Sequence, residues 1–388
     1  TPSHKLCVIF RITSRQLKCC RLSLNSERIK MNNKAVIAMS GGVDSSVAAY
    51  LMKQRVFDCI GVTMKLFANE DIGISREHSC CSLDDVEDAR SVAYSLDMPY
   101  YVFNFSDRFE TDVIDRFIHA YENGITPNPC IDCNRYLKFD KLYMRAKELD
   151  RDYVVTGHYA RVEKGENGRF LLKKALDDTK DQSYVLYCLT QEQLSHTIFP
   201  LGEMRKSQAR EIAESQGFIN ARKADSQDIC FVQNGSYADF IEQYTGKNYP
   251  DGDFLDTNGN VIGRHKGVIR YTVGQRKGLG ISAPEPLYVK AVNPVINTVT
   301  LSYNDGLYSS IVKAGDINLI SVPEIKGEMR VKAKVRYRHT EQWATVTQNS
   351  DTITAVFDEP QRAVTCGQAL VLYDRDTVVG GGTIIEVE

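Results

Sequence analysis

Residues 34–51 read "KAVIAMSGGVDSSVAAYL". The opening KAVIAM is a short, nearly continuous apolar run, fit for a strand buried on both faces. Gly41-Gly42 follows at once, and Val47, Ala48 and Leu51 then recur at helical spacing. A strand that turns through glycines into a helix aims backbone N–H groups and the positive end of the helix dipole at one point, where an anion is favoured. Glycine lets the backbone approach a phosphate with no Cβ between them, and Ser40, Ser45 and Ser46 add hydroxyl donors. No Lys-Ser/Thr pair follows, so this is not a Walker loop, and the spacing is not GxGxxG. Asp44 repels a phosphate unless it holds Mg²⁺, which bridges to the phosphates and reverses the local electrostatics. A polar turn capped by Asp and Ser would explain a lone SGG; the strand before it, the helix after it and the Asp inside it favour nucleotide binding.

Outward from this loop, "CIGVTMKLF" is the next strand and "SLDDVEDARSVAYSLDMP" a helix, with Ser82 and Asp85 in capping-box spacing and Val86, Ala89, Ala93 and Leu96 on one face. "YYVFNF" reads as strand, then comes a helix carrying Phe109, Val113, Phe117 and Ile118, and after a cysteine loop another with Phe139, Leu142 and Ala146. "DYVVTGH" is a fourth strand. This alternation predicts an α/β fold with a doubly wound parallel sheet. From about residue 200 the rhythm changes, through the helix "KSQAREIAESQGF" and a Gly- and Asp-rich stretch over 245–282, to short strands in the last hundred residues that predict a small barrel or sandwich. In "VKAKVRYRH" (331–339), Val331, Ala333, Val335 and Tyr337 alternate with Lys332, Lys334, Arg336 and Arg338, which predicts a core face and a four-cation face suited to phosphates.

The second chemical feature is "TPNPCIDCNRYLKFD" (126–140), the chain's lone CxxC. A helix N-terminus and the nearby Arg135 and Lys138 would lower a thiol pKa at Cys130 or Cys133 and favour thiolate. Cys230, in "KADSQDICFVQNG" (223–235), follows a polar loop and precedes Phe231-Val232, an exposed-to-buried transition where a reactive thiol can sit. Asp225 and Asp228 of that loop suit either proton transfer or loop capping. A structural zinc site needs four ligands, and His78, Cys80 and Cys81 lack standard spacing. A thioredoxin role leaves the phosphate loop unexplained. Cys59 and Cys188 lie in apolar runs and read as small core residues.

The 388 residues include 11 cysteines scattered over a large mixed chain, which points to a reducing compartment rather than a disulfide scaffold. No run of about 18 apolar residues suggests a membrane span. Of 48 basic and 50 acidic residues, seven and one fall in residues 1–30, so residues 31–388 carry 41 against 49, a net −8. That basic leader suits a mitochondrial transit peptide, but "MNNKAVIAMSGG" reads as a natural start at Met31 and favours a cytoplasmic protein.

SGGVDSS resembles the loop of the PP-loop ATP pyrophosphatases, which cleave ATP between the α and β phosphates and adenylate a substrate oxygen. With "GVTMKLF", "TPNPCIDCNRYLKFD", "TGHYAR", "DTKDQSYVLY", "FPLGEMRKSQAREIAESQGF", "KADSQDICFV", "YTVGQRKGLGI", "VRYRH" and "GGGTIIEVE" in order, residues 34–388 resemble the tRNA-specific 2-thiouridylases. The resemblance implies ATP- and Mg²⁺-dependent replacement of O2 by sulfur in the wobble uridine, position 34, of glutamate-, lysine- and glutamine-type tRNAs. It implies a sulfur donor such as a cysteine desulfurase or a relay protein. It divides the chain into a leader (1–30), a PP-loop catalytic domain (31–205), a small central domain with the second catalytic cysteine loop (206–275) and a β-barrel-like tRNA-binding domain (276–388). Cys133 becomes the nucleophilic and resolving thiol and Cys230 the persulfide carrier, with Asp44 catalytic. Ala38, Met39, Ser40, Gly41, Gly42, Val43, Asp44, Ser45, Met64 and Gly157 line the ATP site, and Asn128, Pro129 and Cys130 border the target base. His158, Lys180, Asp181, Gln182, Arg336, Tyr337 and Gln368 touch tRNA. Two positions depart from the pattern: Cys130 stands where many relatives have Asp, and Cys366 where Pro is usual. Cys130, Cys133 and Cys230 together match the ligand count of a [4Fe–4S] cluster with one open iron; a spare thiol beside a persulfide route is the alternative.

Overall fold

The structure, a computed structural model, describes residues 33–67, 83–225, 229–232 and 236–388. The leader, His78, Cys80, Cys81, Ser82 and Asp228 lie outside the described residues. Five parallel strands form the first sheet: β1 (Lys34–Ala38), β2 (Asp58–Lys65), β3 (Tyr100–Asn104), β4 (Tyr153–Val155) and, after a hairpin β5 (Arg161–Lys164) and β6 (Phe170–Lys173), β7 (Thr197–Ile198). Their order is β3-β2-β1-β4-β7, so the chain reverses its direction of travel across the sheet between β1 and β4. Side chains alternate along a strand. Val36, Val62 and Val154 therefore enter one apolar cluster while Ala35, Ile37 and Val155 enter another on the opposite face. The second cluster is roofed by α1 (Val43–Gln54), through Val47 and Ala48, and α2 (Leu83–Ser95), through Ala89 and Val92. The first is roofed by two long helical runs with π-helical centres, residues 106–122 (α3) and 129–148 (α4). The doubly wound arrangement read from the alternation is present; β7, only two residues long, carries no usable periodicity and went unread.

A four-stranded sheet follows, made of β8 (Gly252–Leu255), β9 (Val261–His265), β10 (Tyr288–Asn293) and β11 (Thr298–Ser302), with strands on both sides of residue 275. The remaining six strands are β12 (Tyr308–Leu319), β13 (Glu328–Lys334), β14 (Gln342–Asn349), β15 (Thr352–Arg362), β16 (Ala369–Asp374) and β17 (Thr377–Val387). They close into a barrel because β12 pairs with both β15 and β17. Closure removes the sheet edges that invite aggregation. β17 also pairs with β6, tying the barrel to the first domain at Thr377 and Lys173. Among the described residues no helix is long and apolar enough to cross a membrane.

The alternation expected over 331–339 holds only in part. Val331, Ala333 and Val335 are buried, but β13 ends at Lys334 and Tyr337 is 39% exposed. Arg336 turns inward, donating from Nη2 to the carbonyls of Val273 and Ala363 and to Thr365 Oγ1. Burial holds its pKa below the usual arginine value. The period-two rule fails here because the strand stops three residues short of Tyr337.

Candidate active site

The phosphate loop sits at the carboxyl ends of β1 and β4, the switch point where open α/β sheets bind ligands. Ser45 and Ser46 both donate to the Gly42 carbonyl, at 3.0 and 3.1 Å, and Ser45 Oγ accepts from Ser40 N at 3.2 Å. These bonds shape the loop from within. Asn220 clamps it from outside, its Nδ2 donating to Gly41 O and Ser46 Oγ, both at 2.9 Å. Gly41 has φ +73° and its missing side chain faces the Asp85 carbonyl, where a Cβ would approach to 2.4 Å. Met39 is buried, Ala38 half-buried, and Met64 stands at the end of the adjoining β2.

Gly157 follows β4 and faces the loop so closely that a Cβ would lie 2.7 Å from Asp44 C and Ser45 N. Real Cβ atoms do not tolerate such contacts with backbone. Gly157→Ala should therefore displace the loop and weaken ATP binding at least tenfold by equilibrium dialysis, with tRNA binding little changed.

Asp44 has a partner that sequence reading missed. Its carboxylate accepts from Lys206 Nζ at 2.8 and 2.7 Å and from Tyr159 Oη at 2.9 Å. Lys206 opens α5 (Lys206–Ser215), is only 8% exposed, and also pairs with Asp225 at 2.8 Å. Asp225 in turn pairs with Lys180 and Arg210, each at 2.8 Å. Burial alone would raise the Asp225 carboxyl, but hydrogen bonds from Lys180 and Lys206 hold it at about 2. Two carboxylates and three cations leave one excess positive charge beside the phosphate loop. Their spacing, from residue 44 to residue 225, gives no local signal. As for Mg²⁺, one carboxylate at a phosphate loop is a normal protein contribution, the substrate phosphates and water supplying the rest. Asp44 fits that role once its oxygens are shared with Lys206.

The paired cysteines lie inside a helix rather than in a loop before it. Asn128 is the N-cap of α4, its side chain accepting from Cys130 N at 3.2 Å, and Pro129 takes the first helical position. Cys130 is exposed; Cys133, one turn on, is buried in the first apolar cluster. Burial pushes the Cys133 thiol up, reinforced by Cys130 and Asp132 and opposed by Lys138. The thiolate expected from the helix N-terminus is thus disfavoured here, because desolvation outweighs the dipole and Arg135 is engaged with Asp316. Cys230 is half-buried against the same cluster, held by Phe231, whose ring packs edge-on to Phe117 and Phe109 at 5.2 and 5.7 Å. Among the described residues no group of three His, Cys, Asp or Glu is placed to hold a metal ion, so Cys130, Cys133 and Cys230 do not form a cluster ligand set in this arrangement. Cys59 and Cys188 are buried as expected, their thiols pushed up by burial to about 11 and about 12.

Asp132, between the two cysteines, is half-buried and pushed up to about 6, desolvation outweighing Arg116 and Arg135. The unfolded chain releases this proton at about pH 4 and the folded protein keeps it to about 6, so stability falls as pH rises through that window. Asp132→Asn should abolish this slope. Denaturant titrations across the window are expected to show the wild type losing about 3 kcal/mol relative to the variant.

A chain of hydrogen bonds runs from Asp44 to Tyr337. Tyr159, whose hydroxyl bonds Asp44, donates its N–H to Gln182 Oε1 at 2.9 Å. The neighbouring Asp181 carbonyl accepts from Tyr337 Oη at 3.2 Å. Burial raises the Tyr337 pKa, and the Asp181 carboxylate adds to it. Gln368 reaches from the barrel to donate to the carbonyls of Thr126 at 2.9 Å and Pro127 at 3.2 Å, and Thr126 N donates to Cys366 O at 3.0 Å. The TPNP loop is thus held by the barrel. His158 is buried against Phe139 and Phe199, bonded to Thr156 at 2.7 Å, and burial drives its pKa well below the ordinary value, so its ring is neutral.

A family model described as tRNA methyl transferase HUP domain matches residues 33–234, a tRNA methyl transferase PRC-barrel domain 238–303, and an aminomethyltransferase beta-barrel domain 309–384. The tRNA-specific 2-thiouridylase MnmA of Clostridioides difficile is 51% identical over 356 residues, 91% of this chain and 98% of that protein. The protein of that name from Lachnoclostridium phytofermentans is 51% identical over 355 residues, 91% of this chain and 99% of that one. That from Clostridium perfringens (strain 13 / Type A) is 48% identical over 352 residues, 90% and 98%. A solved 4-thiouridine synthetase–RNA complex with bound ATP matches at TM-score 0.33 and 19% identity, over 55% of this chain and 50% of that one, too loosely to support an inference. About half of all residues are shared with proteins of one name along nearly their whole length, and the chain belongs to the tRNA-specific 2-thiouridylase family.

Proposed function

We propose that the protein is a tRNA-uridine 2-sulfurtransferase, thiolating the wobble uridine at position 34 with ATP. The reading rests on family membership and, in the structure, on the phosphate loop with Asp44 bonded to Lys206 and Tyr159, whose hydrogen bonds run on through Gln182 and Asp181 to Tyr337. Adenylation on the loop followed by sulfur transfer from a cysteine accounts for both the loop and the thiols. A methyl transfer, which the matching domain's name suggests, needs neither. A small-molecule PP-loop ligase would use the loop but not the thiols.

The uridine, unstacked into the site as other base-modifying enzymes require, presents O2 to the α phosphate. O2 attacks, pyrophosphate leaves, and C2 becomes electrophilic. Lys206 and Arg210 supply positive charge to the triphosphate as it does so, the kind of stabilisation that dominates phosphoryl transfer. Mg²⁺ held at Asp44 would neutralise further phosphate charge. The Cys230 persulfide attacks C2 through its terminal sulfur and AMP departs with the former O2. Cys133 thiolate then attacks Cys230 Sγ; the sulfur–sulfur bond breaks, its electron pair stays on the new thiocarbonyl, and a Cys133–Cys230 disulfide remains. An external dithiol returns two electrons before the next turnover. Burial of Cys133 suits a resolving thiol, silent until the substrate and the Cys230 segment are in place. A cysteine desulfurase or relay protein would charge Cys230 in a cytoplasmic setting.

The test is mass spectrometry of nucleosides after incubating the protein with ATP, Mg²⁺, a persulfide donor and an unmodified glutamate, lysine or glutamine tRNA. 2-Thiouridine at position 34 with one AMP per sulfur is the expected result. AMP formation with no thiolated product in any of the three tRNAs would overturn it.

A further inference from the structure

The chain contains a single tryptophan, Trp343, and it is 48% exposed on the outer wall of the barrel. The period of two along β13 and β14 sends Val331, Ala333, Ala344 and Val346 into the barrel core. The same period turns Arg330, Lys332, Lys334 and Trp343 to the outside. Lys332 is paired in register with Trp343 on one side and Tyr373 on the other. Arg330 and Lys332 lie 5.3 and 5.6 Å from the Trp343 ring centre, and Lys334 5.8 Å from that of Tyr373. Arg330 is neutralised by Asp358, and Lys174, next to this row, by Glu341. Among the described residues neither Lys332 nor Lys334 makes an ion pair.

A cross-strand Lys–Trp pair stabilises a hairpin by a few tenths to about 1 kcal/mol. That does not explain two uncompensated lysines on the same row in a chain that is otherwise acidic. Nor does it explain leaving so large an apolar ring half in water. A base-stacking platform beside two phosphate contacts does. Lys332 and Lys334 stand about 6.6 Å apart along the strand, a step comparable with that between neighbouring phosphates. Three residues beyond Lys334 the chain reaches Tyr337, whose hydroxyl bonds the Asp181 carbonyl beside Gln182, so the wall runs on toward the residues that hold Tyr159 and Asp44.

We propose that this wall, formed by β13 and β14, is a second RNA-contact surface. An unpaired base of the substrate tRNA, other than the one being modified, packs on Trp343 while adjacent phosphates meet Lys332 and Lys334. The inference rests on the tRNA substrate proposed above. Because the tryptophan is unique, its fluorescence reports this surface and nothing else.

Titration of the full-length protein with tRNA should quench Trp343 emission and shield it from acrylamide, with a midpoint equal to the Kd from filter binding. Trp343→Ala should weaken tRNA binding about tenfold and Trp343→Phe, which keeps a stacking face, much less. Lys332→Gln/Lys334→Gln should reduce the slope of log Kd against log salt by about 1.5. All three variants should keep the wild-type kcat at saturating tRNA. If tRNA binds with unchanged Trp343 emission and acrylamide access, and all variants keep the wild-type Kd and salt slope, the inference is overturned while the substrate assignment stands. If filter binding detects no tRNA at all, the substrate assignment falls and takes this surface with it. A sulfur-donor protein that protects Trp343 when tRNA does not would likewise overturn it.

Discussion

Cys230→Ser and Cys133→Ser should each abolish 2-thiouridine formation, by at least a thousandfold, and they should fail at different points. With Cys230 replaced there is no persulfide to deliver, so adenylation proceeds, pyrophosphate is released and adenylated tRNA accumulates without thiolated product. With Cys133 replaced, the sulfur reaches C2 but the bond to Cys230 cannot be resolved, and a tRNA–protein adduct through Cys230 should appear in a denaturing gel and disappear on reduction. Cys130→Ala separates the readings of the CxxC pair. Its thiol is exposed and its neighbour's is buried, so the persulfide route predicts retained activity for this variant. A dead Cys130→Ala enzyme with normal tRNA and ATP binding would sink that route as written.

Lys206→Met should lower adenylation about a hundredfold or more, the scale seen when one preorganised charge is removed from a developing anion. The effect should fall on kcat, measured as pyrophosphate release, more than on the Kd for ATP. Lys206 touches both Asp44 and Asp225, so its loss also leaves two carboxylates facing the phosphate loop with reduced compensation. Asp225→Asn in the same background should recover part of the rate by removing one of those charges. If Lys206→Met alone leaves pyrophosphate release at the wild-type rate, the assignment of this lysine to the triphosphate fails.

The elements that carry a strong local period were legible in the sequence. β1 with its glycine turn, the apolar faces of α2 and α3, and the run of β-strands at the end all follow from spacing alone, because burial on one or both faces dictates them. The motifs likewise marked the phosphate loop and the cysteine pair, though the pair was read as a loop and lies inside α4. What could not be read was decided by contacts between distant residues. Lys206 sits at the start of a helix that looks like any amphipathic surface helix, and only the fold puts its amine on Asp44. Arg336 falls on the polar phase of its strand, yet the strand stops and three oxygen acceptors draw it inward. Cys133 showed a helix N-terminus and two cations in sequence, but the apolar cluster that reverses their effect is assembled from several elements.

The grip of Gln368 and Cys366 on Thr126 and Pro127 spans some 240 positions of chain. Contacts of such separation form late, since the intervening loop must be closed before they return any energy. In chain order the first domain precedes the barrel, so the lip over the cysteine helix is the part of the site whose support is furthest away in sequence. That support arrives only with the barrel, whose β17 pairs with both β12 and the β5–β6 hairpin. The bonds that shape the nucleotide loop come from residues before 226, while those that hold the TPNP loop over the cysteine helix come from residues 366 and 368, so one half of the site is finished by its own domain and the other by the far end of the chain.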